Sequence, residues 1–130
     1  MKFKNFVTIV TGGNYGIGYG IAKKFAEEGA KIAIVARNEE RGFKAVKSLE
    51  KEGFIAEFFK TDVSKEKQIK KMIKNVLKHF GKINIVINNA GCGSQHCGIE
   101  AQDNASIRWK TFRGSNLDST YYVSAYALPY

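Results

Sequence analysis

Short apolar runs alternate with longer amphipathic segments along almost the whole chain. The runs are rich in valine and isoleucine and have the length of buried strands, whereas the segments between them repeat apolar residues at helical spacing. This alternation predicts a parallel sheet covered by helices, which is the α/β class. The predicted strands span residues 6–10, 32–36, 55–60 and 83–87, and the predicted helices span 16–28, 39–52, 65–80 and 106–128. For 130 residues we expect one domain over 1–130.

Two of these segments carry expectations about burial. In the second helix, Phe43, Val46 and Leu49 recur at helical spacing, so we expect all three to face the core. The fourth strand, residues 83–87, is almost continuously apolar, which predicts burial on both faces of the sheet.

A glycine-rich turn joins the first predicted strand to the first predicted helix. Gly12 permits a tight turn, Gly16 lets the backbone approach a ligand, and Gly18 allows the helix to pack closely on the strand. The N-terminus of a helix presents unpaired N–H groups and a partial positive charge, which suit a pyrophosphate. The turn therefore predicts a nucleotide-binding site, with a purely structural turn as the alternative.

The end of the second strand distinguishes between the two nicotinamide dinucleotides. A carboxylate there accepts the ribose 2′-OH of NAD, whereas an arginine pairs with the 2′-phosphate of NADP. This chain has Arg37 and Asn38 at that point and no acidic residue before Glu39, so we expect NADP(H) rather than NAD. A surface arginine without a ligand is the alternative. The glycine turn holds Asn14 and Tyr15 where a hydroxyl or a second basic residue often assists.

Four motifs resemble those of the short-chain dehydrogenases/reductases. Residues 11–18, T-G-G-N-Y-G-I-G, are similar to the family's cofactor motif, and residues 88–91 to its N-N-A-G. Asp62 and Val63 resemble the adenine-contacting acid and its neighbour, and Trp109 precedes Asn116 as in the helix that carries the family's asparagine. The resemblance implies a truncated Rossmann-like, doubly wound parallel sheet with strand order 3-2-1-4. Together with Arg37 and Asn38 from the end of the second strand, the expected cofactor-binding residues are Gly12, Asn14, Tyr15, Gly16, Ile17, Gly18, Asp62, Val63, Asn89, Ala90 and Gly91.

The resemblance also implies a catalytic set of which this chain carries one member, Asn116. In the family a tyrosine exchanges the proton at the substrate oxygen, a lysine lowers the pKa of the tyrosine, and a serine orients the substrate. The tyrosine and lysine stand as Y-x-x-x-K after a fifth strand, and the chain ends at Tyr130, before that point. Tyr19 and Lys23 match the string but lie on the first helix. We therefore expect an oxidoreductase fragment, incomplete at its C-terminus and inactive alone.

Truncation would leave the fourth strand and the last helix exposed. An open sheet edge and exposed aromatic residues promote association, so we expect self-association or docking of a C-terminal half there. A non-catalytic nucleotide-binding module, or the product of a decaying or frame-shifted gene, is the alternative function.

Charge, cysteines and hydropathy bear on other classes of protein. The net charge of +9 suggests nucleic acid, but the lysines are spread along the chain, so we expect solvated helix faces and no nucleic acid. Cys92, His96 and Cys97 are too few for a structural zinc site, so we expect no metal. We find no apolar run that could span a bilayer and no signal-peptide layout, and therefore expect a cytoplasmic protein without membrane contact.

Overall fold

A computed structural model describes residues 1–92 and 104–130, so His96 and Cys97 lie outside the described residues. The four strands form one parallel sheet in the order β3-β2-β1-β4, which confirms the predicted topology. The strands are β1 (Val7–Thr11), β2 (Lys31–Ala36), β3 (Ala56–Lys60) and β4 (Ile85–Ile87). The helices are α1 (Gly16–Glu27), α2 (Glu39–Lys51), α3 (Glu66–Phe80), α4 (Ala105–Arg113) and α5 (Ser119–Ala127). In the described ranges, no helix combines the length and apolar character that crossing a membrane requires.

Two apolar layers cover the two faces of the sheet. Helices α1 and α2 pack on one face, where Leu49 is fully buried. Helices α3 and α5 pack on the other face, where Val76 and Val123 are fully buried. Because successive side chains of a strand point to opposite faces, β1 contributes Ile9 to one layer and Val10 to the other. The doubly wound arrangement is therefore present.

Phe43 does not face the core, so that prediction is wrong. Its side chain is 51% exposed, and its ring packs edge-on against Phe58 with the ring centres 5.1 Å apart. The inward position belongs to Gly42, where an added Cβ would overlap the Phe58 ring. Because the Phe58 ring fills the space between β3 and α2, the helix places its smallest residue against the sheet. Val46 and Leu49 are buried as predicted.

Strand β4 is shorter and less buried than predicted. The strand begins at Ile85. Just before it, the Asn84 carboxamide accepts the backbone N–H of Val7 at 2.9 Å, and the Asn84 N–H donates to the Val7 carbonyl at 3.0 Å. All three residues of β4 are half-buried, since in the part of the chain that the structure describes this strand pairs with β1 alone. The prediction of burial on both faces is therefore wrong.

The last helix contains one wide turn. Helices α4 and α5 are joined by five residues of π-helix, Gly114–Asp118, which we call the π segment. The sequence predicts an uninterrupted helix over 106–128, and the three segments together cover 105–127. A π turn adds about one residue to the helical repeat, so it changes which side chains face the sheet. Helix α5 buries Ser119, Val123 and Ala127, whereas α4, all of whose residues are described, buries none.

Candidate functional site

A groove of about 1070 Å³ crosses the carboxyl ends of the four strands. Residues that follow β1, β2, β3 and β4 all contribute to its wall, and the strand order reverses between β1 and β4. In open α/β sheets this crevice is where ligands bind. The charged residues in the wall are Arg37, Arg41, Lys65, Lys110, Asp62 and Asp118, so cations outnumber anions. The groove therefore favours an anionic ligand.

The glycine turn brings the backbone of α1 to this groove. Gly12 and Gly16 adopt positive φ angles of 66° and 57°, which glycine tolerates best. An added Cβ at Gly16 would meet no described atom within 4 Å, whereas one at Gly18 would overlap the carbonyl oxygen of Gly12. Tyr15, the N-cap residue of α1, makes no side-chain capping bond within the described residues. The first N–H groups of the helix therefore remain available to an anion.

Thr11 joins the glycine turn to the segment after β4. Its side chain is almost fully buried, and its hydroxyl accepts the backbone N–H groups of Asn89 and Ala90, both at 3.0 Å. The Asn89 carboxamide donates in return to the carbonyl of Thr11 at 3.2 Å and to that of Gly12 at 3.3 Å. These bonds hold two walls of the groove in a fixed relation.

Asp62 lies at the end of β3 with its carboxylate held locally. One oxygen accepts the hydroxyl of Ser64 at 2.7 Å and the backbone N–H of the same residue at 3.0 Å. Burial raises the pKa of Asp62, but the Ser64 hydrogen bonds and the charges of Arg37 and Lys65 lower it more, so the pKa lies below its ordinary value of 3.8. The carboxylate is therefore ionised at neutral pH and can accept an amino group of a ligand.

The end of β2 leads into α2 through a capped turn. Asn38 caps the helix, because its side-chain oxygen accepts the backbone N–H of Arg41 at 2.9 Å. Arg37, Asn38 and Arg41 all line the groove, and the guanidinium of Arg41 lies over the ring of Tyr15.

Asn116 lies in the π segment and contacts the part of the groove wall that follows β4. Its side-chain oxygen accepts the backbone N–H of Cys92 at 3.2 Å, and its amide donates to the carbonyl of Phe112 at 2.9 Å. An added Cβ at Gly91 would lie 2.5 Å from the same side-chain oxygen. A glycine is therefore needed where the segment after β4 passes the last helix.

The sequence profile of the short chain dehydrogenases matches residues 6–130. The chain belongs to this family. It is 37% identical to an uncharacterized oxidoreductase of Staphylococcus epidermidis, over 99% of this chain and 54% of the relative. It is 38% identical to a 3-oxoacyl-(acyl-carrier-protein) reductase of Chlamydia muridarum, over 92% of this chain and 47% of the relative. The chain thus spans about half the length of these curated relatives.

The fold is also that of solved members of the family. A metagenomic short-chain oxidoreductase, whose crystal structure is a complex with NADP, superposes with a TM-score of 0.90. The two proteins share 27% sequence identity, and the match covers 99% of this chain and 57% of the other. The Rossmann-like topology predicted from the sequence therefore matches about half of a solved short-chain dehydrogenase.

The structure brings together all the residues that the sequence predicts to bind the cofactor. Residues of the glycine turn, of the ends of β2 and β3 and of the segment after β4 line the same groove. They are Gly12, Asn14, Tyr15, Gly16, Ile17, Gly18, Arg37, Asn38, Asp62, Val63, Asn89, Ala90 and Gly91. Asn116 lies beside the groove and touches it through Cys92.

Three residues of the candidate site were not predicted from the sequence. Thr11 begins the glycine motif, and its position there was the only signal of its role. Ser64 follows Asp62 at the spacing of a side-chain-to-backbone turn. Arg41 follows Arg37 by four residues, but only the fold shows that both reach one groove.

Two other sequence patterns do not form sites in the described chain. Tyr19 and Lys23 are not part of the groove wall, and Lys23 forms an ion pair with Glu52 at 2.9 Å. In residues 1–92 and 104–130, no three His, Cys, Asp or Glu side chains are grouped as metal ligands would be.

Proposed function

We propose that the groove binds NADP(H), and that the chain is the cofactor-binding part of an oxidoreductase that acts on a carbonyl or hydroxyl substrate. The observation that carries the proposal is that the glycine turn and Arg37 line one groove. The NADP complex of the structurally similar metagenomic oxidoreductase supports the same cofactor here. The excess of cations in the groove wall is consistent with a ligand that carries several phosphates.

Each wall of the groove suits one part of the cofactor. The open N-terminus of α1, with Gly16 beside it, suits the pyrophosphate. Arg37 suits the 2′-phosphate, because a guanidinium donates two parallel hydrogen bonds to phosphate oxygens. The ionised carboxylate of Asp62, with Val63 next to it, suits the adenine, whose amino group donates hydrogen bonds. Asn89, Ala90 and Gly91 then border the nicotinamide side of the same cofactor.

The chemistry of the whole protein belongs to this proposal. When bound, NADPH supplies the hydride. For Asn116 the contacts favour a positioning role, since it holds the N–H of Cys92 at the end of the groove wall. Its part in catalysis stays a prediction, as does the placement of the family's serine, tyrosine and lysine beyond this chain.

A thermal melt of the chain with NADPH, with NADH and with no ligand tests the proposal. A ligand at about one hundred times its dissociation constant stabilises the native state by about 2.7 kcal/mol. For a domain of this size the midpoint should rise by roughly 10 °C. We expect a larger rise with NADPH than with NADH. A cooperative melt whose midpoint neither nucleotide moves would refute the proposal.

Two variants attribute the preference for NADPH to its proposed cause. Arg37→Gln should reduce the midpoint rise with NADPH and bring it closer to that with NADH. Lys47→Gln removes the same charge from an exposed position on α2 outside the groove wall, and should preserve the difference. Equal effects of the two variants would assign the preference to overall charge rather than to Arg37.

The sequence predicts that a partner binds the exposed side of the last helix. Trp109, Leu117, Tyr121 and Leu128 are each more than half exposed. Self-association, or docking of a C-terminal half, through this helix and β4 stays part of the proposal, and sedimentation across a range of protein concentrations would test self-association. A cytoplasmic location and the absence of nucleic-acid binding stay predictions.

A further inference from the structure

Tyr15 and Arg41 form an aromatic–cation pair in the groove wall. The guanidinium carbon of Arg41 lies 5.4 Å from the centre of the Tyr15 ring, and both residues line the groove. A cation within about 6 Å of an aromatic ring face is attracted to it. Tyr15 belongs to the glycine turn and Arg41 to the first turn of α2, so the pair links the phosphate-binding turn to the helix after Arg37.

Arg41 is held at both ends. The side chain of Asn38 accepts its backbone N–H at 2.9 Å, which fixes the place on α2 from which the side chain extends. The ring of Tyr15 then restricts where the guanidinium lies. A side chain that is ordered before the ligand arrives loses less conformational entropy when it binds.

In the described chain, the two arginines at this end of the groove form no close ion pairs with acidic side chains, although the charge of Arg37 acts on the Asp62 carboxylate. Within residues 1–92 and 104–130, the ion pairs closer than 4 Å involve neither Arg37 nor Arg41. A phosphate monoester carries a charge of about −1.5 to −2 near neutral pH. One guanidinium leaves part of that charge unpaired, whereas two balance it.

We propose that Arg41 is a second residue that determines specificity for NADP(H), and that Tyr15 is a positioning residue that holds Arg41 for the 2′-phosphate. This inference rests on the proposed function, because it assumes that the groove holds the dinucleotide. The glycine turn has Asn14 and Tyr15 where a basic residue often assists. The aromatic ring in the turn instead retains a basic residue that α2 supplies.

Calorimetric titration with 2′,5′-ADP and with 5′-AMP tests the inference on the full chain. The two nucleotides differ by the 2′-phosphate alone, so their ratio isolates its recognition. Arg41→Gln should weaken binding of 2′,5′-ADP by about tenfold or more, the effect of losing one charged hydrogen-bonding partner. It should weaken binding of 5′-AMP less than about twofold, because no contact to the 2′ position is lost.

Matched variants distinguish the effect of Arg41 from that of overall charge. They also distinguish a positioning role of Tyr15 from a purely structural one. Lys47→Gln removes one charge from the same helix and should leave both affinities within about twofold of the wild type. Tyr15→Phe keeps the ring and should keep the preference for 2′,5′-ADP. Tyr15→Ser should lose part of that preference in the wild-type background and lose nothing further in the Arg41→Gln background. Circular dichroism melts confirm that each variant folds.

The outcomes distinguish this inference from the proposed function. If the wild type prefers 2′,5′-ADP and Arg41→Gln keeps that preference, the inference is wrong and the proposed function stands. Equal losses of both nucleotides on Arg41→Gln would also overturn it. If the wild type binds neither nucleotide, the proposed function fails and the inference fails with it.

Discussion

The hydroxyl of Thr11 accepts the backbone N–H of Asn89 at 3.0 Å, although 78 residues separate the two in the chain. The same hydroxyl accepts the N–H of Ala90, and the Asn89 side chain bonds back to the glycine turn. Gly12 follows β1 and Asn89 follows β4, both line the groove, and the two strands are neighbours in the sheet. The buried Thr11 hydroxyl and the Asn89 carboxamide thus tie these two walls of the groove together.

Thr11→Val should destabilise the fold and increase the distance between residue 11 and the segment after β4. The substitution keeps the shape of the side chain but leaves two N–H groups without their acceptor, at a cost of about 1–3 kcal/mol. Urea unfolding measures that loss. Thr11→Ser keeps the hydroxyl and should recover most of the stability. A valine variant as stable as the wild type would show that other groups or water replace the hydroxyl.

Gly18→Ala and Gly20→Ala should have opposite effects on stability although both lie in α1. A Cβ at Gly18 would overlap the backbone carbonyl of Gly12 and the Asn89 carboxamide, so the variant should lose stability and nucleotide affinity. Gly20 is exposed, and a Cβ there meets nothing within 4 Å in the described chain. Alanine at Gly20 should therefore stabilise the helix by about 0.5–1 kcal/mol. Denaturant unfolding of the two variants side by side checks both signs.

Asn38→Ala should weaken the start of α2. The side-chain oxygen caps the N–H of Arg41, and loss of an N-cap costs about 1 kcal/mol. Asn38→Asp retains a capping oxygen and should restore most of the unfolding free energy. Equal stability of the alanine and aspartate variants would contradict a capping role. Hydrogen exchange of the first-turn amides of α2 locates the effect.

Asp62 should stabilise the fold in a pH-dependent way. Its pKa in the folded protein lies below the ordinary value of 3.8, so the ionised carboxylate favours folding above that value. This contribution should be lost as the pH falls through the folded pKa of Asp62. The difference in unfolding free energy between wild type and Asp62→Asn, measured by urea at pH 7 and near pH 2.5, should therefore shrink at the lower pH. A difference that does not change with pH would contradict the assigned cause.

Features governed by local conformation were predictable from the sequence. The glycine turn follows a strand and opens a helix, and Arg37 and Asp62 follow the next two strands. Because parallel strands end on the same edge of a sheet, correct strand order was enough to bring these residues into one groove.

Features decided by contacts between distant residues were not predictable. Gly42 and Phe43 are adjacent on α2, and only the position of Phe58 on β3 determines which of them faces the sheet. At the start of β4, likewise, the side chain of Asn84 bonds to the backbone of Val7, which lies 77 residues earlier in the chain. Arg41 lines the groove beside an aromatic ring of another segment, and that contact joins residues far apart in the chain. Helical or strand periodicity contains none of this information.

The wide turn of the last helix divides it into two parts with different constraints. On one side of Gly114–Asp118, α4 supplies Lys110 and Thr111 to the groove and buries nothing in the described chain; on the other, α5 buries Val123 and Ala127. In an uninterrupted helix, one helical repeat would determine which side chains of α4 and of α5 face the sheet. With the phase shift between them, substitutions in α4 can alter what the groove accepts while the packing of α5 is conserved, so ligand preference and stability can evolve separately within one helix.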